Sequence, residues 1–241
     1  MILELENVTM RFSGVTAVRD VSFSVAEGEI LGLMGANGAG KTTLFNIISG
    51  SLQPTRGRIR FEGETIDHLR PWQICRRGIA RTYQLVRPFP AFNVLENVIL
   101  SIMYGRKSER SIQDATARAT EIVQELGLGL FARTEARHLT LAGRKRLEIA
   151  RALGAAPRIL LLDEVLAGLN PIEIESALVL LTELHKRYNL TIIMVEHVLR
   201  GLMQLCSRVI VLHHGEKIAE GTPTDVRADP AVIDAYLGDA P

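Results

Sequence analysis

Nine residues, GANGAGKTT at positions 35–43, constrain this chain more than any other stretch. They fit the pattern G-x-x-x-x-G-K-[ST], with Gly35, Gly40, Lys41 and Thr42 in its fixed positions. The apolar run ILGLM at 30–34 reads as a buried strand, and the residues from Thr43 to Ser49 read as a helix stopped by Gly50. The glycines therefore fall where a strand turns into a helix. Glycine lets the backbone close around an anion with its N–H groups pointing inward. The start of the helix adds about half a positive charge. Gly35, Asn37, Gly38, Ala39, Gly40, Lys41, Thr42 and Thr43 form the expected phosphate-binding set. In it Lys41 reaches the outer phosphates and the Thr42 hydroxyl holds a magnesium ion.

The rest of the composition narrows the field. The chain has 241 residues, 47% hydrophobic and 23% charged, enough for a sizeable core in one or two domains. A net charge of +1 gives no electrostatic case for nucleic acid as the main ligand. No apolar run approaches the roughly 18–20 residues that cross a bilayer, so a membrane role is expected to be peripheral. Cys75 and Cys206 read as free thiols in a reducing compartment.

Along the chain, residues 2–5 and 21–25 alternate as half-buried strands, and 58–61 reads as another. Residues 69–83 read as a helix followed by a strand ending near Tyr83 and Gln84. From 87 to 157 the periodicity becomes helical, with apolar spacing at 94–100 and 115–126 and a polar loop expected at 105–112. The run RILLLDE at 158–164 is continuously apolar until its two acids, as in a central parallel strand covered on both faces. Residues 172–188 read as an amphipathic helix and 190–195 as a second buried strand. Residues 208–213 and 217–219 flank a turn, and 231–237 reads as a closing helix.

In open α/β sheets, ligands sit at the carboxyl ends of the strands. That rule brings Asp163 and Glu164 beside the phosphate loop. Asp163 is assigned to magnesium, directly or through water, and Glu164 to the attacking water, as general base or orienter. His197, at the end of the second buried strand, is assigned to a γ-phosphate oxygen. Gln84 is assigned to magnesium or the attacking water.

These residues and their order resemble the ATP-binding subunits of ABC transporters. The resemblance rests on GANGAGKT, Gln84, LLLDE, the AGLN loop at 167–170 and His197, and it covers essentially the whole chain. RTYQ at 81–84, NVLEN at 93–97, RLEIARAL at 146–153, VEH at 195–197 and IDAYLG at 233–238 resemble the LivG-type branched-chain amino acid importers. This resemblance implies a P-loop NTPase (RecA-like) α/β core with a parallel sheet, an N-terminal antiparallel β subdomain and an inserted α-helical subdomain. It implies a single cassette in which 1–86 and 158–220 form the nucleotide core, 87–157 the helical part and 221–241 the tail. It further implies ATP and Mg2+ as cofactors, with Phe12 stacking on adenine. The implied partners are a second ATPase subunit, identical or paralogous, in a head-to-tail dimer, membrane permease subunits, and indirectly a solute-binding protein. The implied location is the cytoplasmic face of the membrane.

One segment departs from the family pattern. The signature L-S-G-G-Q aligns with Leu139, Thr140, Leu141, Ala142 and Gly143. Thr140 keeps the hydroxyl, but the glycine at Ala142 and the glutamine at Gly143 are missing. Thr140, Ala142 and Gly143 are the residues expected to close on the partner's ATP. Arg144, Lys145 and Arg146 follow at a helix start, where cations oppose the helix dipole. They read either as contacts to the partner's phosphates or as a solvated helix face. The expected activity is ATP hydrolysis driving amino acid uptake. Competing readings are an exporter ATPase of the lipopolysaccharide-transport type, a soluble ABC module, and a small-molecule kinase.

Overall fold

The computed structural model describes residues 1–83, 88–109, 111–196 and 199–237, with the backbone alone for Leu199, Arg200 and Leu237. Strands β1 (Leu3–Phe12) and β2 (Val15–Val25) form a long hairpin, followed by β3 (Ile30–Met34) and helix α1 (Lys41–Ile48). Next come β4 (Arg56–Phe61), β5 (Glu64–Thr65), α2 (Pro71–Arg77) and β6 (Ile79–Arg81). The helical stretch contains α3 (Val94–Tyr104), α4 (Ile112–Glu125) and α5 (Leu141–Gly154), after which β7 (Ile159–Asp163) and α6 (Pro171–Tyr188) follow. The chain continues through β8 (Thr191–Val195), α7 (Leu199–Leu205), β9 (Arg208–His213), β10 (Glu216–Gly221), α8 (Pro223–Ala228) and α9 (Pro230–Leu237).

These elements group into two compact units, residues 1–71 with 191–241, and residues 72–190. In the first unit β2, β1, β4 and β5 pair antiparallel in that order. In its second sheet β3 pairs in parallel with β8 and with β9, and β10 is antiparallel to β9. All five residues of β3 and of β8 are buried. This explains their unbroken apolar runs, since both faces of a parallel strand are covered. Gly32 lies in β3 because an added Cβ would come within 3.0–3.2 Å of Leu202, Cys206 and Val209.

The second unit pairs β6 and β7 in parallel, with Ile79 opposite Ile159 and Arg81 opposite Leu161. Its helices have well-marked starts. Asn93 with Glu96 and Asn170 with Glu173 are reciprocal capping boxes, and Pro171 occupies the first turn of α6. The apolar stripe of α3 packs on α4 and α5. The antiparallel hairpin is longer than residues 2–5 and 21–25 alone suggest. Its polar positions at Glu6, Asn7, Arg19 and Asp20 break the alternation, and Asn7 and Asp20 have positive φ of 48° each at irregularities in register. Among the described residues no helix is long and apolar enough to cross a membrane.

Candidate functional site

In the first unit, β3 delivers the chain into the glycine loop and α1 takes it away, as the spacing requires. Gly35 has φ +148° and Gly40 +101°. An added Cβ at Gly35 would lie 2.2 Å from the Leu212 carbonyl oxygen, and at Gly40 2.5 Å from that of Ala17. Both positions are therefore closed to any side chain by backbone as well as by φ. The loop is braced from outside by Gly215, whose N–H donates to the Ala39 carbonyl at 3.1 Å, and from within by Ala39 N–H, which donates to the Ala36 carbonyl at 3.1 Å.

Lys41 is only 6% exposed. Its Nζ donates to the carbonyls of Gly35 at 2.7 Å and Ala36 at 2.9 Å, so the ammonium is folded back over the loop. Asn37, Gly38 and Thr42 are exposed, Thr43 is half-buried and Ala39 buried. Helix α1 has no side-chain cap and no acidic residue in its first turn. Its positive end is thus available to an anion, with a buried ammonium beside it. These features fit a polyphosphate. Phe12 ends β1 at the tip of the hairpin, opposite Val15 and 42% exposed. An aromatic face left to solvent there suits a stacking contact.

One residue near this loop had no assigned role from sequence. Tyr236 of α9 lies near the Gly35 backbone, and its phenol is pushed up by burial against the lowering effect of that backbone group. With Met34, Met203, Val226, Val232 and Ile233 it lines an apolar cavity of about 280 Å³.

The second unit carries the carboxylates. Asp163 ends β7 and is 3% exposed. Its Oδ2 accepts from Nη2 of Arg81, the last residue of β6, at 2.7 Å, and the Arg81 side chain is 5% exposed. Asp163 N–H donates to Thr82 Oγ1 at 3.1 Å. Glu164 follows with φ +51°, unusual for a residue with a Cβ, and is half-buried. Its carbonyl accepts Lys145 Nζ at 2.8 Å and Ala167 N–H at 3.3 Å. The strand end thus presents one carboxylate locked by a guanidinium and one on a constrained backbone.

The segment at 139–143 opens α5. Thr140 is its N-cap, exposed, with Oγ1 accepting from Gly143 N–H at 3.1 Å. Leu139 is buried, Leu141 exposed, and Ala142 and Gly143 half-buried. The basic triplet is only partly a solvated face, with Arg144 and Arg146 half-buried. Lys145 is buried and Arg146 donates to Ser176 Oγ at 2.9 Å. The sequence held a signal for this: Lys145 falls on the same stripe as Ile149 and Ala152, at i, i+4 and i+7. Gln84 and His197 lie outside the described residues.

Among the described residues no group of three or more His, Cys, Asp or Glu side chains could hold a metal ion alone.

Against known proteins, residues 18–167 match the ABC transporter family, and residues 216–241 match the family described as "Branched-chain amino acid ATP-binding cassette transporter". The chain is 38% identical to the high-affinity branched-chain amino acid transport ATP-binding protein BraF of Pseudomonas aeruginosa, covering 99% of this chain and 98% of that one. It is 34% identical to the lipopolysaccharide export system ATP-binding protein LptB of Haemophilus influenzae, covering 99% and 98%. Among solved structures, an ATP-binding cassette of an ABC transporter in its ADP conformation is similar with a TM-score of 0.89 and 30% identity, covering 99% of each chain.

Proposed function

We propose, from the premise that this chain belongs to the ABC transporter family of ATP-binding proteins, that it hydrolyses ATP to power solute uptake through membrane permease subunits. The observation that carries this reading is the phosphate loop. A buried ammonium, a glycine-shaped backbone and an uncapped helix start converge there, and together they suit a polyphosphate and little else. The solute class is a branched-chain or related amino acid. The match of residues 216–241 to the branched-chain family and the 38% identity to BraF support that class over lipopolysaccharide export.

The reaction is ATP + H2O to ADP and phosphate. Lys41 and the amides of residues 35–43 grip the β- and γ-phosphates, while Phe12 stacks on the adenine. Glu164 polarises a water toward the γ-phosphorus and accepts or directs its proton. The bond from that phosphorus to the bridging oxygen breaks, and ADP leaves with the electrons. Mg2+, when bound, offsets phosphate charge; Thr42, Asp163 and Gln84 would hold it. His197 contacts the γ-phosphate.

The chain acts as one cassette, with 1–86 and 158–220 as nucleotide core, 87–157 as helical part and 221–241 as tail. Two such cassettes, of this chain or of this chain and a paralogue, pair head to tail on the cytoplasmic face of the membrane. There 139–143 of one covers the nucleotide of the other, and a solute-binding protein feeds the permease.

Uptake of radiolabelled leucine, isoleucine and valine by cells with and without the Lys41→Ala variant tests this reading. Loss of both ATP binding and uptake is expected. Wild-type uptake by the variant, or unchanged ATP affinity, would overturn it.

A further inference from the structure

Helix α5 carries two buried charges one turn apart, Lys145 at 8% exposure and Glu148 at 6%. Both reach backbone groups just beyond the ends of parallel strands. Lys145 Nζ donates to the carbonyl of Glu164, the first residue after β7, at 2.8 Å. Glu148 Oε2 accepts from the N–H of Tyr83, two residues after β6, at 3.3 Å. At three-residue spacing both side chains lie on one helix face. Burying a Lys and a Glu is costly and persists where the groups have a defined task or partner. Each of the two reaches a fixed main-chain atom, and Glu148 also acts on the Arg151 guanidinium.

The constraint matters most at Glu164. Its φ of +51° lies in the left-handed region, which strains a residue with a Cβ unless its surroundings hold it there. A hydrogen bond from a charged donor to its own carbonyl is such a hold. The same helix begins at Thr140, in the segment expected to close on the partner's nucleotide. Thr140, Lys145 and Glu164 are thus linked through one helix and one hydrogen bond.

We propose that Lys145 is a positioning residue for ATP hydrolysis, fixing the backbone of Glu164 from the helix that the signature-like segment starts, with Glu148 performing the matching task at Tyr83. This rests on the reading of Glu164 as the residue that polarises water. Lys145 touches no reacting atom. It sets where the Glu164 carboxylate stands and ties that position to the segment at 139–143 of the same chain. The position of the hydrolytic carboxylate at one site thus depends on the helix that covers the other.

The test is steady-state ATP hydrolysis by the purified full chain, with ADP affinity measured separately, for Lys145→Met, Lys145→Arg and Glu164→Gln. Lys145→Met keeps the stem and removes the charge. It should lower kcat about a hundredfold, the usual cost of a misplaced catalytic group, with ADP affinity unchanged. Lys145→Arg, which can still donate to the carbonyl, should recover most of that loss. In a Glu164→Gln background, Lys145→Met should remove nothing further, because it acts through Glu164. A wild-type kcat in Lys145→Met, a parallel loss of ADP affinity, or a full additional loss in the Glu164→Gln background would each overturn the proposal. Should Lys145→Met fail to fold, Lys145→Gln stands in, with a partial loss of kcat expected and a wild-type kcat overturning it. If Glu164→Gln keeps full turnover, the assignment of Glu164 falls. If Glu164→Gln is inactive and Lys145→Met is not impaired, only the role of Lys145 falls.

Discussion

Each compact unit ends a fully buried parallel strand in residues to which a chemical role is assigned, but the two ends are finished differently. After β3 the backbone is shaped by glycines at positive φ, and the one long side chain, Lys41, bonds to its own loop. Partners distant in sequence contribute mainly carbonyls, from Ala17 and Leu212, that mark where a Cβ cannot go. After β7 the acids are shaped by side chains from elsewhere: Arg81 on Asp163 across 82 positions, and Lys145 on Glu164 across 19. One end is local and the other is assembled. A local site can be rebuilt from its own short stretch, whereas an assembled one fails when any distant partner is removed.

That contrast can be broken by mutation. The largest effect is expected at Glu164. Glu164→Gln should lower kcat by about 10²–10⁴ while ATP still binds, as for loss of a general base. Full turnover would remove the carboxylate from the reaction. Next is Arg81→Leu, which leaves Asp163 buried without its counter-ion and should cost about 3–5 kcal/mol in a denaturant melt. The side chains are 5% and 3% exposed, so solvent screens the pair little. A loss below about 1 kcal/mol would mean that this strand end is as self-contained as the loop.

Gly35→Ala sharpens the other side. Forcing a Cβ at φ +148° against the Leu212 carbonyl should cost about 1–3 kcal/mol and weaken nucleotide binding together with stability. Unchanged ADP affinity would show that the loop shape is not what binds phosphate. Smallest is Thr140→Ala, which removes the cap on Gly143 N–H and should cost about 1 kcal/mol. If the ATPase rate of the assembled complex also stays at wild type, the segment at 139–143 does not act on the partner's nucleotide.

The same contrast explains what could be read from the sequence. The phosphate loop, its strand and its helix were legible because the motif is contiguous, Lys41 bonds back to Gly35 within the loop, and glycine at a forced φ leaves no alternative. The run ending at Asp163 was legible as a buried strand for a similar reason. Arg81, Glu148 and Tyr236 were not, because nothing local in RTYQ, RLEIARAL or IDAYLG says which backbone a side chain will meet. Lys145 lay between: its place on an apolar stripe was visible, but a basic triplet at a helix start reads as solvated until the strand end it faces is known. The irregular hairpin β1–β2 was undercalled because its polar positions fall at breaks in register, where period-two alternation is lost. Helices α7 and α8, of 7 and 6 residues, are too short to show a period.

A crystal structure of the Glu164→Gln variant with Mg-ATP decides whether the loop of one unit and the carboxylate of the other serve a single nucleotide. The expected result is Lys41 Nζ on the β- and γ-phosphate oxygens, with Asp163 on the magnesium ion or its waters, both at one ATP molecule. An ATP held by Lys41 while Asp163 stays bound to Arg81, remote from any metal, would contradict it.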